Sequence, residues 1–183
     1  ETRADRIDDY RLLQEQIQRC KLILEKLTRT AQLTDVGETH RVGLTAYARG
    51  IVDKWLVTRP EVSITVDILG TGDSPMLEVE FTLGQAVENL LNNAANAWPK
   101  DIRVELDWDE HQATIAVCDK GPGIPTHLMD KIGKPIIRDG GSGLGLGLLI
   151  SHATVNRYGG EIELKNQTSG GTRAQLRLPL TRV

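Results

Sequence analysis

Between Asp5 and Ala31 there is neither glycine nor proline, and Tyr10, Leu13, Ile17, Cys20, Leu24, Leu27 and Ala31 recur at alternating steps of three and four residues. That spacing holds apolar side chains on one narrow seam and predicts a long amphipathic helix. A seam so narrow cannot form a core by itself, so the helix is expected to pack against other helices, most simply in a dimeric bundle. One core helix of a single domain is the competing reading. From Thr34 to Thr39 the pattern lapses around Asp35, Gly37 and Glu38, which predicts a linker and a domain boundary near residue 40. Residues 1–33, 34–40 and 41–183 are thus read as helix, linker and a second domain. Within that domain the periodicities predict helices over Val42–Val57, Leu83–Trp98 and Leu144–Tyr158. Strands are predicted over Val62–Leu69, Ile102–Trp108, Ala113–Cys118, Glu161–Lys165 and Thr172–Leu178. Helices and strands mixed in this way predict an α+β fold, a two-layer α/β sandwich preceded by the long helix.

Composition narrows the partners. The 183 residues carry a formal net charge of -3, which gives no general attraction for nucleic acid or anionic lipid, so a phosphate-bearing ligand must be held by local geometry. Two cysteines, Cys20 and Cys118, show neither metal-ligand spacing nor the density of a disulfide scaffold, and a reducing, cytoplasmic setting is expected. No apolar run approaches the roughly 20 residues that span a bilayer. The chain itself is expected to make no membrane contact, although a membrane anchor in a longer protein fits the same sequence.

Three segments carry chemistry. In Glu88-Asn89-Leu90-Leu91-Asn92-Asn93-Ala94-Ala95-Asn96, four asparagines sit in a predicted helix that they destabilise. Asn89, Asn93 and Asn96 form a polar stripe whose carbonyl oxygens suit a hard cation such as Mg²⁺, itself a holder of phosphates; a solvated, asparagine-rich face is the plain alternative. Asp119-Lys120-Gly121-Pro122-Gly123 places a carboxylate at the end of an apolar strand, where it can accept from an adenine amino group, although the same residues also make an ordinary turn. Gly140-Gly141-Ser142-Gly143-Leu144-Gly145-Leu146-Gly147 runs into a predicted helix, so backbone N–H groups and the positive helix end can face phosphate. Neither the P-loop spacing nor the dinucleotide fingerprint is present.

In order and content these segments resemble the N box, first glycine box and second glycine box of the histidine-kinase, gyrase and MutL ATPase superfamily, the GHKL or Bergerat ATPases. Gly170-Gly171-Thr172 resembles a further glycine box, and the likeness covers roughly residues 42 to 180. The resemblance implies ATP as substrate, with Mg²⁺ held by Asn93 helped by Asn89, and Asp119 recognising adenine. It adds Asn96, Gly121, Gly123, Gly143, Leu144, Gly145 and Thr172 to the ATP site, and a mobile lid over about residues 125–142. Kinases of the superfamily have asparagine where its ATP-hydrolysing members have a water-activating glutamate, and Asn89 stands at that position; Glu88 lies about 100° away around the helix.

The segment Glu15–Leu24 resembles the second dimerisation helix of RegB/PrrB-type redox-responsive sensor kinases. That likeness implies a homodimer through the first helix, a redox role for Cys20, and phosphoryl relay to a response regulator. A space-filling role for Cys20 stands beside it. The accepting histidine of such kinases is followed by a carboxylate and then a proline, a context that His40, His111, His127 and His152 all lack. The chain is therefore expected to bind ATP and to act on a histidine it does not itself carry. In the lid, Pro135-Ile136-Ile137-Arg138 stands where many relatives have a Phe-Phe pair, and Arg138 is a candidate for the terminal phosphate. Two rival readings are an ATP-hydrolysing module of the same superfamily and a nucleotide-binding or dimerisation module without catalysis.

Overall fold

The computed structural model describes residues 39–126 and 146–180, all within one compact unit, Glu38–Val183. The first-helix readings, Cys20, His127, Arg138, Gly143, Leu144 and Gly145 lie outside the described residues.

In chain order the elements are β1 (His40–Gly43), α1 (Leu44–Thr58), β2 (Ile64–Ile68), β3 (Met76–Val79), α2 (Phe81–Ala97), β4 (Ile102–Trp108), β5 (Gln112–Cys118), α3 (Leu146–Arg157), β6 (Glu161–Asn166) and β7 (Thr172–Pro179). Five strands form a sheet in the order β2-β4-β5-β7-β6, antiparallel except for the parallel β2–β4 pair. Strand alternation decides which face is covered. Ile102, Val104 and Leu106 of β4 are buried, as are Ala113, Ile115 and Val117 of β5 and Ala174, Leu176 and Leu178 of β7. Their neighbours Arg103, Glu105, Arg173 and Arg177 point the other way into a ladder of ion pairs, in which Arg103 meets Asp67 at 3.4 Å and Arg177 meets Glu163 at 2.9 Å. One face is thus apolar and roofed by helices, and the other carries the charged side chains. Exposed pairs of this kind contribute little to stability, so the helix–sheet core carries it.

At the centre of that roof lies α2, which buries Leu83, Val87, Leu90, Leu91 and Ala94. On one flank the α1 residue Trp55 is buried and donates its indole N–H to Asn92 Oδ1 at 3.1 Å. On the other flank lies α3, whose Ser151 is fully buried against α2, its hydroxyl 3.5 Å from Ala86 O. Cys118 ends β5 beneath Arg173, which donates to its sulfur at 3.4 Å, and burial pushes the thiol up.

Two short strands depart from the sequence reading. His40–Gly43 pairs antiparallel with Met76–Val79, His40 opposite Val79 and Gly43 opposite Met76. The helix predicted from Val42 therefore begins at Leu44, and the strand at Met76 had no counterpart in the prediction. Each is four residues long, too short for period-two alternation to stand out, and each exists only because the other lies beside it.

His152, on α3, has a buried Nε2 without a hydrogen-bond partner among the described residues, and burial holds its imidazole below the usual histidine range. Protonation therefore favours the unfolded chain. Stability is complete above the unfolded value of 6.5 and falls as pH drops from there through the lower folded-state value. Denaturation midpoints measured from about pH 8 down to about pH 5 should show this loss in the wild type and a smaller one in His152→Phe.

Candidate active site

The C-terminal half of α2 borders two clusters of polar groups. At one cluster Asn89 faces α3 and donates its side-chain N–H to Gly147 O at 3.2 Å and to Ser151 Oγ at 3.1 Å. A Cβ on Gly147 would lie 3.2 Å from Asn89 Oδ1, so glycine there lets the start of α3 sit against the asparagine. Glu88 turns to the opposite flank, where it lies close enough to the half-buried Tyr47 to help burial and Tyr158 push that phenol up. The one-residue step around the helix thus separates the two side chains as the 100° rule requires, and Glu88 does not face the groove beside Asn89.

At the other cluster the end of β5 delivers Asp119, only 5% exposed. Its Oδ1 accepts from Gly121 N at 2.7 Å and from Thr172 N at 3.2 Å. Oδ2 makes no hydrogen bond to another described residue. The carboxylate is fixed through one oxygen and keeps the other available. Two of the predicted glycines explain the close packing. A Cβ on Gly121 would stand 3.0 Å from Ala97 Cβ at the end of α2, and one on Gly171, where φ is +84°, would stand 1.9 Å from Asp119 O. Thr172, 8% exposed, lies behind the carboxylate and holds it by its backbone N–H.

From Asn89, which touches α3, to Ala97, which touches Gly121, is eight residues of helix, about 12 Å. Asn93 lies between them, exposed and making no hydrogen bond to another described residue. Asn96 is partnered from α1, where the Arg59 guanidinium donates to its Oδ1 at 3.3 Å while lying 5.9 Å over the Trp55 ring. Neutral amide oxygens at Asn89 and Asn93, with no cluster of carboxylates, histidines or cysteines among the described residues, suit a hard cation that brings phosphate ligands with it and suit a self-sufficient protein cage poorly.

Sequence reasoning missed the residues behind the cleft. Gln167 donates to Asp119 O at 2.9 Å, and Asn166 binds the backbone of Ile124. An asparagine and a glutamine just before the glycine box were the available signal.

A profile of the histidine kinase-, DNA gyrase B- and HSP90-like ATPase family matches residues 78–182, more than half of the 183-residue chain. The chain belongs to this ATPase family. Sensor histidine kinase GtrS of Pseudomonas aeruginosa is 28% identical over 183 residues, which cover 97% of this chain and 37% of that protein. Sensor histidine kinase RegB of Cereibacter sphaeroides is 24% identical over 172 residues, covering 87% of this chain and 37% of the relative. The structure of the mycobacterial sensor histidine kinase MprB superposes with a TM-score of 0.66 at 24% identity, over 79% of this chain and all of that one. That last likeness is one of fold. The chain spans a little over a third of the length of the two curated kinases. As a member of the ATPase family it is homologous to the ATP-binding domains of sensor histidine kinases. The described residues contain no helix long and apolar enough to cross a membrane.

Proposed function

We propose that this chain is the catalytic core of a sensor histidine kinase, transferring the γ-phosphoryl group of ATP to a histidine imidazole elsewhere in the full protein. The observation that carries the reading is Asp119, a buried carboxylate held by two backbone N–H groups on one oxygen and open on the other. An acceptor fixed in that way suits the exocyclic amino group of adenine. Adenine at Asp119 and a phosphate chain directed along α2 would bring the phosphates to Asn93 and Asn89, about 6 Å and about 12 Å along the helix from Ala97.

In this reading Asp119, Gly121 and Thr172 orient the base, and Gly123 completes the turn beside it. Asn93 and Asn89 would hold Mg²⁺, which supplies charge neutralisation at the phosphate oxygens. The chain's own contribution is positioning, since phosphoryl transfer asks the protein to align groups and stabilise charge more than to form bonds. The N–H of Asn89 points to Gly147 and Ser151 and its side chain has no basic group, so it is not equipped to activate water. Glu88, one step around the helix from Asn89, lies near Tyr47. Both observations favour transfer to a protein over hydrolysis. Arg138, Gly143, Leu144 and Gly145 extend the proposal to the phosphate end, and Asn96, next to Ala97 and partnered by Arg59, belongs to the base end.

The domain division at residues 34–40, homodimerisation through the first helix, the response-regulator partner, the cytoplasmic setting and a redox role for Cys20 within a RegB/PrrB-like subfamily belong to the same proposal. The division rests on the lapse of the apolar pattern there and the cytoplasmic setting on cysteine usage, and the others rest on the sequence resemblance.

Calorimetric titration with ATP, with and without Mg²⁺, tests the site. The folded wild-type chain should bind ATP more tightly with Mg²⁺, and Asn93→Ala should lose most of that difference while still binding the metal-free nucleotide. A folded wild-type chain that binds no ATP would overturn the reading.

A further inference from the structure

The turn from Asp119 to Ile124 is held from behind at both ends by two consecutive side-chain amides. At the far end Asn166, the last residue of β6, accepts from Ile124 N at 2.7 Å through Oδ1 and donates from Nδ2 to Ile124 O at 2.8 Å. One carboxamide thus satisfies both backbone groups of one residue, as a neighbouring strand would. At the near end Gln167 donates to Asp119 O at 2.9 Å and lies 3.3 Å from Thr172 O. Gly123 makes the first clamp feasible. Its φ is +79°, and a Cβ there would meet Asn166 Oδ1 at 2.9 Å, so a side chain at position 123 would be strained and would push the asparagine away.

Asn166 makes no hydrogen bond to the Asp119 carboxylate, whose Oδ1 is held by Gly121 and Thr172. What it fixes is the distance of Gly123 and Ile124 from β6. Asp119 is anchored independently through Gly121, Thr172 and Gln167. The turn therefore has two anchor points, the carboxylate and the Ile124 peptide, and the gap between them is set by the reach of Asn166.

We infer that Asn166 is a positioning residue for adenine recognition, holding the Gly123–Ile124 arm of the turn at the spacing in which a base fits beside Asp119. The inference rests on the adenine-site reading of Asp119. Without the two bonds, part of the binding free energy goes to ordering this arm whenever a nucleotide enters. The cost falls at the base end and is the same for every adenine nucleotide.

The experiment is titration of ATP and ADP, each with and without Mg²⁺, into the wild type, Asn166→Ala, Gly123→Ala and the double variant. Asn166→Ala should weaken ATP and ADP by the same factor, on the order of tenfold, with its Mg²⁺ dependence unchanged. Because both single changes disturb one contact, their effects on affinity should fall short of additive in the double variant. Circular dichroism and denaturation midpoints establish that each variant is folded at the temperature of titration; if Gly123→Ala is not, Asn166→Ser, which shortens the clamp, takes its place in the series and should weaken both nucleotides as Asn166→Ala does. Equal affinity of wild type and Asn166→Ala, or a loss confined to ATP with Mg²⁺, overturns the positioning role and leaves the adenine site standing. A folded wild type that binds neither nucleotide removes the adenine site and this role with it.

Discussion

Asp119→Asn should abolish nucleotide binding while leaving the fold largely intact, with an affinity loss on the order of 100-fold or more. Asparagine has the shape of aspartate and keeps one carbonyl oxygen, which the N–H groups of Gly121 and Thr172 would continue to claim. The amide nitrogen is then forced to the open side, where it presents a donor to the donor amino group of adenine. If the side chain flips to avoid this, two backbone N–H groups inside a 5%-exposed pocket lose their acceptor, at a cost of about 1–3 kcal/mol for each. The first outcome costs ATP affinity with the fold intact, and the second returns an acceptor to the open side only at the cost of stability. Paired calorimetry and thermal denaturation separate them. Asp119→Asn that binds ATP as the wild type does would show that the carboxylate is a turn-forming group and no more.

The largest effect on stability is expected at Gly171. Its φ of +84° lies in the region that favours glycine, and an added Cβ would fall 1.9 Å from Asp119 O and 2.6 Å from Asp119 C. Neither atom belongs to a flexible side chain, so the backbone must move. The left-handed conformation costs a non-glycine residue about 1–2 kcal/mol. Displacing β7 from the end of β5 adds to it, because Asp119 N donates to Thr172 O at 3.0 Å and would be pulled off its acceptor. Together Gly171→Ala should lose about 3–5 kcal/mol, a large share of the 5–15 kcal/mol typical of a domain. Urea denaturation should show a much lower midpoint. At temperatures where the variant is still folded, ATP binding should also fall, since the strain lands on the carbonyl of Asp119, the proposed adenine acceptor. Gly170, with open space around its Cβ position though φ is +90°, should tolerate alanine better.

The contrast between these neighbouring glycines shows what the sequence could and could not convey. Gly170-Gly171-Thr172 stood out as a glycine box, yet nothing in the string distinguishes a glycine needed for conformation alone from one that also must leave room for a carbonyl. The five strands of the main sheet were legible because each alternates long enough to expose one apolar face. Val104, Leu106, Ile115 and Leu176 show the period directly. The β1–β3 pair was not legible, since its pairing lies between residues about 36 positions apart and depends on no local signal. Asn89, Asn93 and Asp119 were legible from residue type and order. What the asparagines do for the scaffold was hidden: Asn92 holds the Trp55 indole and Asn96 holds Arg59, so the cost of four asparagines in one helix is partly offset by bonds to α1. Asn166 and Gln167 were hidden for a similar reason, being turn formers by composition and backbone clamps only in three dimensions.

The small β1–β3 sheet has a mechanical consequence. The chain enters the described domain at residue 39, passes at once into β1, and leaves β3 one residue before α2, the helix that carries Asn89 and Asn93. Since His40 lies opposite Val79, tension between residue 39 and the start of α2 would load the pairs one after another from that end, as a zipper opens, instead of shearing them together. A small displacement at residue 39 would then be absorbed by the outermost pair, and a larger one would reach α2 only after the four pairs had opened.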